Sequence, residues 1–324
     1  MFLLTEENAA GYLRDRNWPL ADPFTVHSLG GGVSNTVLLI ESPEGRIVCK
    51  QALEKLRVEA DWHSRPERTL READALVAVA PLLPAGAVPG IHFIDRENCI
   101  YCMEAAPAGS VDWKMALLDR SVDPAVAAQA GHTLGTLIRA TWQDPGWQSR
   151  FGDQTVFDEL RLDPYYRFTA TRHPDCAAHF QSLIESCRIR ATSLVHGDWS
   201  PKNLLVTTTG VMAIDFEVVH FGNPCFDTGF LLCHLLMKSI HLPAYADALR
   251  NCGIAFWDSL DLQNEIPWML SGTIAHLGGL LLARADGKSP AEYLSPANRD
   301  KLRRTAKSII FAPPASIPGL WSCL

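Results

Sequence analysis

One stretch of this chain constrains its fold more than any other. Residues 196–203 read His-Gly-Asp-Trp-Ser-Pro-Lys-Asn, the pattern H-G-D-x-x-x-x-N, and after an apolar run residues 214–217 read Ile-Asp-Phe-Glu. The gap between Asp198 and Asn203 lets a single loop present a carboxylate and a carboxamide to the same point. Leu204 to Val206 and Val211 to Ile214 can pair as a short hairpin across Thr207-Thr208-Thr209-Gly210, which returns the chain and adds Asp215. A polar loop between two strands needs neither that spacing nor the second acid.

Phosphoryl transfer uses these residue types in this order. An Asp at the position of Asp198 can accept the proton of an attacking hydroxyl, and Asn203 and Asp215 can hold magnesium against a nucleoside triphosphate. Magnesium takes oxygen ligands in near-octahedral geometry, which a carboxamide and a carboxylate suit.

The amino-terminal part supplies complementary chemistry. Thr25 to Leu29, Thr36 to Ile40 and Arg46 to Gln51 are β-branched or apolar runs separated by turn residues, so they read as an antiparallel meander. Between the first two lies Gly30-Gly31-Gly32-Val33-Ser34-Asn35. Glycines there let backbone N–H groups approach phosphates closely, although the sequence lacks the G-x-x-x-x-G-K-[ST] form of a P-loop. Lys50 ends the third run and is the candidate cation for the α- and β-phosphates. Its expected partner is Glu72, on the helical pattern Glu67 to Ala80; Glu59 and Asp74 are rivals, with Asp74 on a different face of that helix. Ile91 to Asp95 and Ile100 to Glu104 read as two further strands. Ala105-Ala106-Pro107-Ala108-Gly109 reads as a link, after which the pattern is mostly helical: Pro124 to Thr141, His179 to Arg188, Gly229 to Ile240 and Pro267 to Ala285.

Bulk properties narrow the class. At 324 residues and 47% hydrophobic the chain can bury two cores. Its net charge of -7, with no Lys/Arg run beyond Lys301-Leu302-Arg303-Arg304, argues against a nucleic-acid partner. The start lacks a basic segment of the kind secretion signals carry, and no apolar run reaches the roughly 18 residues of a membrane span. A cytoplasmic protein with no membrane partner is the expectation. The nine cysteines are irregularly spaced and mostly lie in apolar runs, so buried free thiols are expected. Cys99-Ile100-Tyr101-Cys102 has no second pair at zinc spacing.

The segment 196–217, continued by Phe221-Gly222-Asn223-Pro224-Cys225-Phe226-Asp227-Thr228-Gly229, resembles the aminoglycoside phosphotransferase and choline kinase superfamily of small-molecule kinases, and locally the methylthioribose kinases within it. The resemblance implies an α+β, protein-kinase-like fold of two lobes. Residues 1–105 would form a nucleotide-binding lobe of antiparallel sheet plus helix, and residues 106–324 a mostly helical catalytic and substrate-binding lobe. It also implies that Gly31, Gly32, Ser34 and Asn35 cover the phosphates, and that backbone groups near Met103, Glu104 and Ala106 meet adenine. His196 would orient the catalytic loop, and Asp227 would brace it through backbone hydrogen bonds. ATP, or alternatively GTP, and magnesium are the expected cofactors, and the expected partner is a small molecule with a hydroxyl acceptor. Trp199, Glu217 and His220 are substrate candidates, along with Trp113 and the segment His276 to Arg284.

Two positions depart from the family pattern. Ser200 stands where relatives often hold His or Lys, so that either Lys202 substitutes as the cation or the cation is missing, and Phe216 stands where methylthioribose kinases typically carry Pro. An ATP-binding pseudokinase is the main alternative, and it would have lost Asp198, Asn203, Asp215 or Lys50. A protein-serine kinase fits less well, because no A-P-E segment follows Asp215.

Overall fold

The computed structural model describes residues 2–30, 35–53 and 65–324. The chain divides into two compact units, Met1–Pro81 with Val88–Ala108, and Leu82–Ala87 with Gly109–Leu324.

The first unit is built on a five-stranded antiparallel sheet. Its strands are β1 (Thr25–Ser28), β2 (Asn35–Ser42), β3 (Gly45–Ala52), β4 (Ile91–Asp95) and β5 (Ile100–Glu104), in the order β1-β2-β3-β5-β4. Central β3 is buried from Ile47 onward because both of its faces are covered. On one face Leu38, Ile40, Ile47, Cys49, Ile100 and Cys102 pack against Leu4 and against Ala9, Tyr12 and Leu13 of α1 (Ala9–Asp15). Successive strand residues point to opposite faces, so Lys50 turns away from that core. There Glu72 of α2 (Arg68–Val79) meets it.

One expectation is corrected here. Cys49 and Cys102 are not free thiols; they are joined by a disulfide, with Cα atoms 4.3 Å apart. They lie directly opposite each other in the β3–β5 register, at the close spacing of a non-hydrogen-bonded antiparallel pair. Spacing along the chain conceals a pair that only strand register creates. Cys99, Cys176, Cys187, Cys225, Cys233, Cys252 and Cys323 are free.

The second unit is mostly helical. After β6 (Val111–Asp112) come α3 (Trp113–Leu118), α4 (Pro124–Ala140), α5 (Pro145–Phe151), α6 (Thr155–Phe157) and a π-helical segment, Asp158–Arg167, which continues into α7 (Phe168–Arg172). Next is α8 (Ala177–Ile189), followed by four short strands: β7 (Ser193–Val195), β8 (Leu204–Val206), β9 (Val211–Ala213) and β10 (His220–Gly222). These form two small sheets, β10-β7 and β6-β8-β9. The chain closes with α9 (Cys225–His241), α10 (Ala246–Leu260), α11 (Met269–Asp286) and α12 (Pro296–Phe311).

Helix α9 is apolar on nearly every side and accordingly lies in the centre of the unit, against α10 and α11. Helices α10 and α12 go beyond the four helical runs read from the sequence. Helix α12 contains the Lys301–Arg304 run, in which Arg304 is exposed and Lys301 and Arg303 are partly exposed, and it buries Leu302, Thr305, Ala306 and Ile309. Among the described residues no helix is long and apolar enough to cross a membrane.

Helices α4 and α10 approach closely because Gly131 and Gly135 lack side chains. A Cβ at either would run into a backbone oxygen, that of Phe256 or that of Leu260. Backbone cannot rotate aside as a side chain can, so Gly135→Ala is expected to destabilise the unit by about 1–3 kcal/mol. A lowered urea midpoint against the wild-type chain would register it.

Candidate active site

Strand β7 delivers the chain to His196, and Asp227 in the first turn of α9 receives it. The Asp227 carboxylate accepts the N–H groups of His196 (2.6 Å) and Gly197 (2.9 Å). Burial pushes its carboxyl up to about 7, although both N–H bonds favour the ionised form. Gly197 has φ +78, and a Cβ there would lie 2.9 Å from Val218, so the turn requires glycine. His196 is fully buried. Its Nδ1 accepts the N–H of Asp198 (3.2 Å), which leaves Nε2 to donate to the Ile214 carbonyl (3.0 Å). One neutral ring thus ties the Asp198 loop to the strand end that carries Asp215.

Two further bonds close the loop. The Asn203 Nδ2 donates to the Asp198 carbonyl (3.0 Å), and the Ile214 N–H donates to the Asn203 carbonyl (3.0 Å). With its amide nitrogen so engaged, Asn203 keeps its side-chain oxygen to offer. Asp215 follows at φ +70, a left-handed conformation that Asp tolerates better than most residues. A carboxamide oxygen and a carboxylate on neighbouring, mutually bonded backbone fit a hard divalent cation.

Asp198 is 3% exposed and sits between two cations. Lys202 Nζ is 2.8 Å and Arg161 Nη2 3.0 Å from its Oδ2. Burial raises its carboxyl, but Lys202 and Arg161 outweigh burial and hold it below the ordinary carboxylate range. Arg161 was not legible as a site residue. It belongs to no motif and lies in the π-helical segment, yet its Nε also holds the Gly197 carbonyl (2.7 Å). Glu217 and Asp215 are close enough to help keep its guanidinium charged. Ser200 is fully buried, and the cations at this loop are Lys202 and Arg161.

The other substrate candidates separate. Glu217 is partly exposed beside Arg161. His220 belongs to the core: it is 1% exposed, its Nδ1 meets the Val218 carbonyl (3.0 Å), and its ring stacks on Phe157 with centroids 4.0 Å apart. Trp199 is buried edge-on against His196. Trp113 is buried at the start of α3.

In the first unit, Lys50 Nζ lies 2.9 and 2.8 Å from the two Glu72 carboxylate oxygens, and both side chains are buried. The rival Asp74 is taken by Arg96; Glu59 lies outside the described residues, as do Gly31, Gly32 and Ser34. Asn35 opens β2, opposite Ala52. Met103 pairs in register with Val48 and Ile91. The Glu104 N–H donates to the Gly90 carbonyl (2.8 Å), and the Ala106 carbonyl accepts from Arg46 (2.9 Å).

Buried histidines give the fold a pH signature. Burial pushes His196 down to about 4 and His276 down to about 3, and it pushes His234 down as well. A His whose folded value lies below its unfolded value near 6.5 stabilises above 6.5, and that stability is lost as pH falls toward the folded value. Asp227, with a raised value, works oppositely between about 7 and 4, but it is one group against three. The urea midpoint is therefore expected to fall between pH 7 and pH 5.

Comparison with known proteins agrees with this geometry. The profile of the Phosphotransferase enzyme family matches residues 25–262. Methylthioribose kinase 2 of Oryza sativa subsp. japonica is 27% identical, over 71% of this chain and 60% of that one. Methylthioribose kinase of Escherichia coli O45:K1 is 24% identical, over 78% of this chain and 69% of that one. The chain thus spans less than two thirds of the rice protein's length. Among solved structures, choline kinase from Cryptosporidium parvum Iowa II shares the fold with a TM-score of 0.59 at 14% identity, covering 95% of this chain and 97% of that one. A putative aminoglycoside phosphotransferase from Ralstonia eutropha JMP134 does so at 0.55 and 16%, covering 98% of each. A match through the sheet, the Asp198 loop and Asp227 leaves one assignment: the chain belongs to the phosphotransferase enzyme family.

Proposed function

We propose that this protein is a small-molecule kinase that transfers the γ-phosphoryl group of ATP to an acceptor hydroxyl in the presence of magnesium. The observation that carries the reading is the closed loop in which Asn203 bonds Asp198 and also Ile214, the residue before Asp215, while Asp227 braces the His196-Gly197 turn. Both cations on Asp198 approach its Oδ2, so Oδ1 would be the oxygen to receive a proton. The acceptor hydroxyl gives its proton to Asp198, its oxygen bonds to the γ-phosphorus, and the bond to the β,γ-bridging oxygen breaks to release ADP. Lys50, fixed by Glu72, would steady the α- and β-phosphates. Asn203 and Asp215 would hold magnesium, which when bound neutralises charge on the triphosphate. Positioning and charge neutralisation supply most of the rate in such chemistry.

The test is ATP consumption across sugars, nucleosides, amino alcohols and aminoglycosides, with methylthioribose included because the similar plant and bacterial proteins are named for it. Turnover on at least one acceptor, abolished by EDTA and restored by magnesium, is the expected result. ATP binding with no turnover on any acceptor would point instead to a pseudokinase.

A further inference from the structure

Beside the catalytic loop, the second unit buries more positive charge than the loop uses. Lys238, in the last turn of α9, is completely buried, and its Nζ has no hydrogen-bond partner among the described residues. It lies over the ring of Tyr293, 5.6 Å from the centroid. The Tyr293 hydroxyl is likewise buried and unpartnered among the described residues, as is Arg284 Nε on α11. Arg284 is held in place by Ser289, through its carbonyl and its Oγ (2.9 Å). Burial, then Lys114 and Arg284, push the Lys238 ammonium down to about 7.

An unpartnered buried ammonium is among the costlier groups a fold can contain. Keeping one near an arginine and a phenol hydroxyl unpartnered among the described residues, all of them able to donate, suits a receptor for an oxyanion. The acids nearby do not fill that role. Asp112 caps α3 by accepting the Met115 N–H (3.2 Å), Asp198 is engaged by Arg161 and Lys202, and the exposed Glu292 is held by Lys114 (2.5 Å) and reaches Arg284 Nη2 only at 4.0 Å.

The donors are continuous with the catalytic loop. Arg161 lies over the Tyr165 ring, and the Tyr165 hydroxyl stands 3.5 Å from Arg284 Nη1. On the other side α3 packs on the Pro201–Asn203 turn that carries Lys202. The indole N–H groups of Trp113 and Trp199 are also buried there without partners among the described residues.

We propose that the acceptor is itself an anion, a small hydroxyl compound whose carboxylate or phosphate is received by Lys238, Arg284 and Tyr293 while its hydroxyl meets Asp198. This rests on the kinase reading above for the hydroxyl, but not for the anion. A cationic acceptor such as an aminoglycoside or an amino alcohol would be repelled by the same residues.

Two measurements test it separately. The first is thermal stability in phosphate or acetate against chloride at equal ionic strength, for the wild type and Lys238→Met. The wild type should gain several degrees in phosphate or acetate, and Lys238→Met should lose that gain while keeping its response to ATP. In chloride, Lys238→Met should melt higher than the wild type, because it removes a buried charge without a partner; a purely structural lysine would give a lower melting temperature. Should Lys238→Met not fold, Tyr293→Phe, which removes only the hydroxyl, should reduce the phosphate response. The second measurement compares matched acceptors: glycerol, glycerate and glycerol 3-phosphate, then ribose, ribonate and ribose 5-phosphate. An anionic member should exceed its neutral partner by at least about thirtyfold in kcat/KM, the scale of losing one partner of a buried charged contact. Which anion is preferred distinguishes carboxylate from phosphate. Equal or better use of the neutral members, or an anion response unchanged by both variants, would overturn the proposal and leave the kinase reading intact. An anion response lost in Lys238→Met with no acceptor turned over would support the anion site while defeating the kinase reading.

Discussion

Asp198→Asn is expected to lower kcat by roughly 10²- to 10⁴-fold, the usual worth of a positioned general base, with little change in the KM for ATP. The substitution keeps the shape of the side chain and an oxygen for Arg161 and Lys202, so it removes the proton-accepting charge and little else. Arg161 is 11% exposed at its side chain and cannot turn to water, whereas Lys202 is 49% exposed and can. Any loss of stability should therefore trace to Arg161, and a urea midpoint measured beside the kinetics separates the two effects. The pH dependence follows from the same contacts. The two cations hold the Asp198 carboxyl below its ordinary range, so the carboxylate is present above about pH 4 and is lost only as pH falls through its depressed value. This group should give no limb to kcat/KM between pH 6 and 8. A variant retaining activity within about tenfold of wild type would remove Asp198 from the role of base.

The part of the site legible in the sequence is the part whose geometry is local. Asp198, Asn203 and Asp215 are gathered by one turn and one hairpin, so linear spacing nearly determines where they meet. Lys50 and Glu72 were legible for a different reason: phosphoryl transfer needs a fixed cation on the phosphates, and that cation needs an acid from a nearby helix. Arg161 had no such signal. It reaches Asp198 because a π-helical stretch with Pro164 inside turns it toward the Gly197 carbonyl, and nothing in D-E-L-R-L-D-P-Y-Y-R announces that. Cys49 and Cys102 likewise meet through register across two strands that are 53 residues apart in sequence. His220 misled for the opposite reason. Its nearness to Asp215 in sequence suggested the pocket, while β10 turns it onto Phe157 in the core. Lys238 sits in a helix so apolar that composition alone reads it as buried hydrocarbon.

The second large effect is expected at Asp215, where function should fall while stability changes little. Asp215→Asn removes the one formal negative charge from the pair proposed to hold magnesium, and kcat should fall by about 10²- to 10³-fold or more, comparable to deleting a preorganised electrostatic contact in the transition state. Asparagine is the informative choice because, like aspartate, it tolerates the left-handed conformation at φ +70. Alanine there would add backbone strain to the loss of charge. In the folded protein Asp215 raises the carboxyl of Asp198, so the two acids repel each other. Removing one relieves that repulsion but also gives up the attraction of Asp215 for Arg161 and Lys202, while Arg161 keeps Asp198 as a partner. With the two effects opposed, the variant should unfold at about the same urea concentration as the wild type, as expected where a residue is kept for its chemistry rather than for stability. Raising the magnesium concentration should recover part of the rate if the lost charge acted through the metal. A variant that stayed folded, bound ATP and turned over within about tenfold of wild type at ordinary magnesium would show that the cation is held elsewhere.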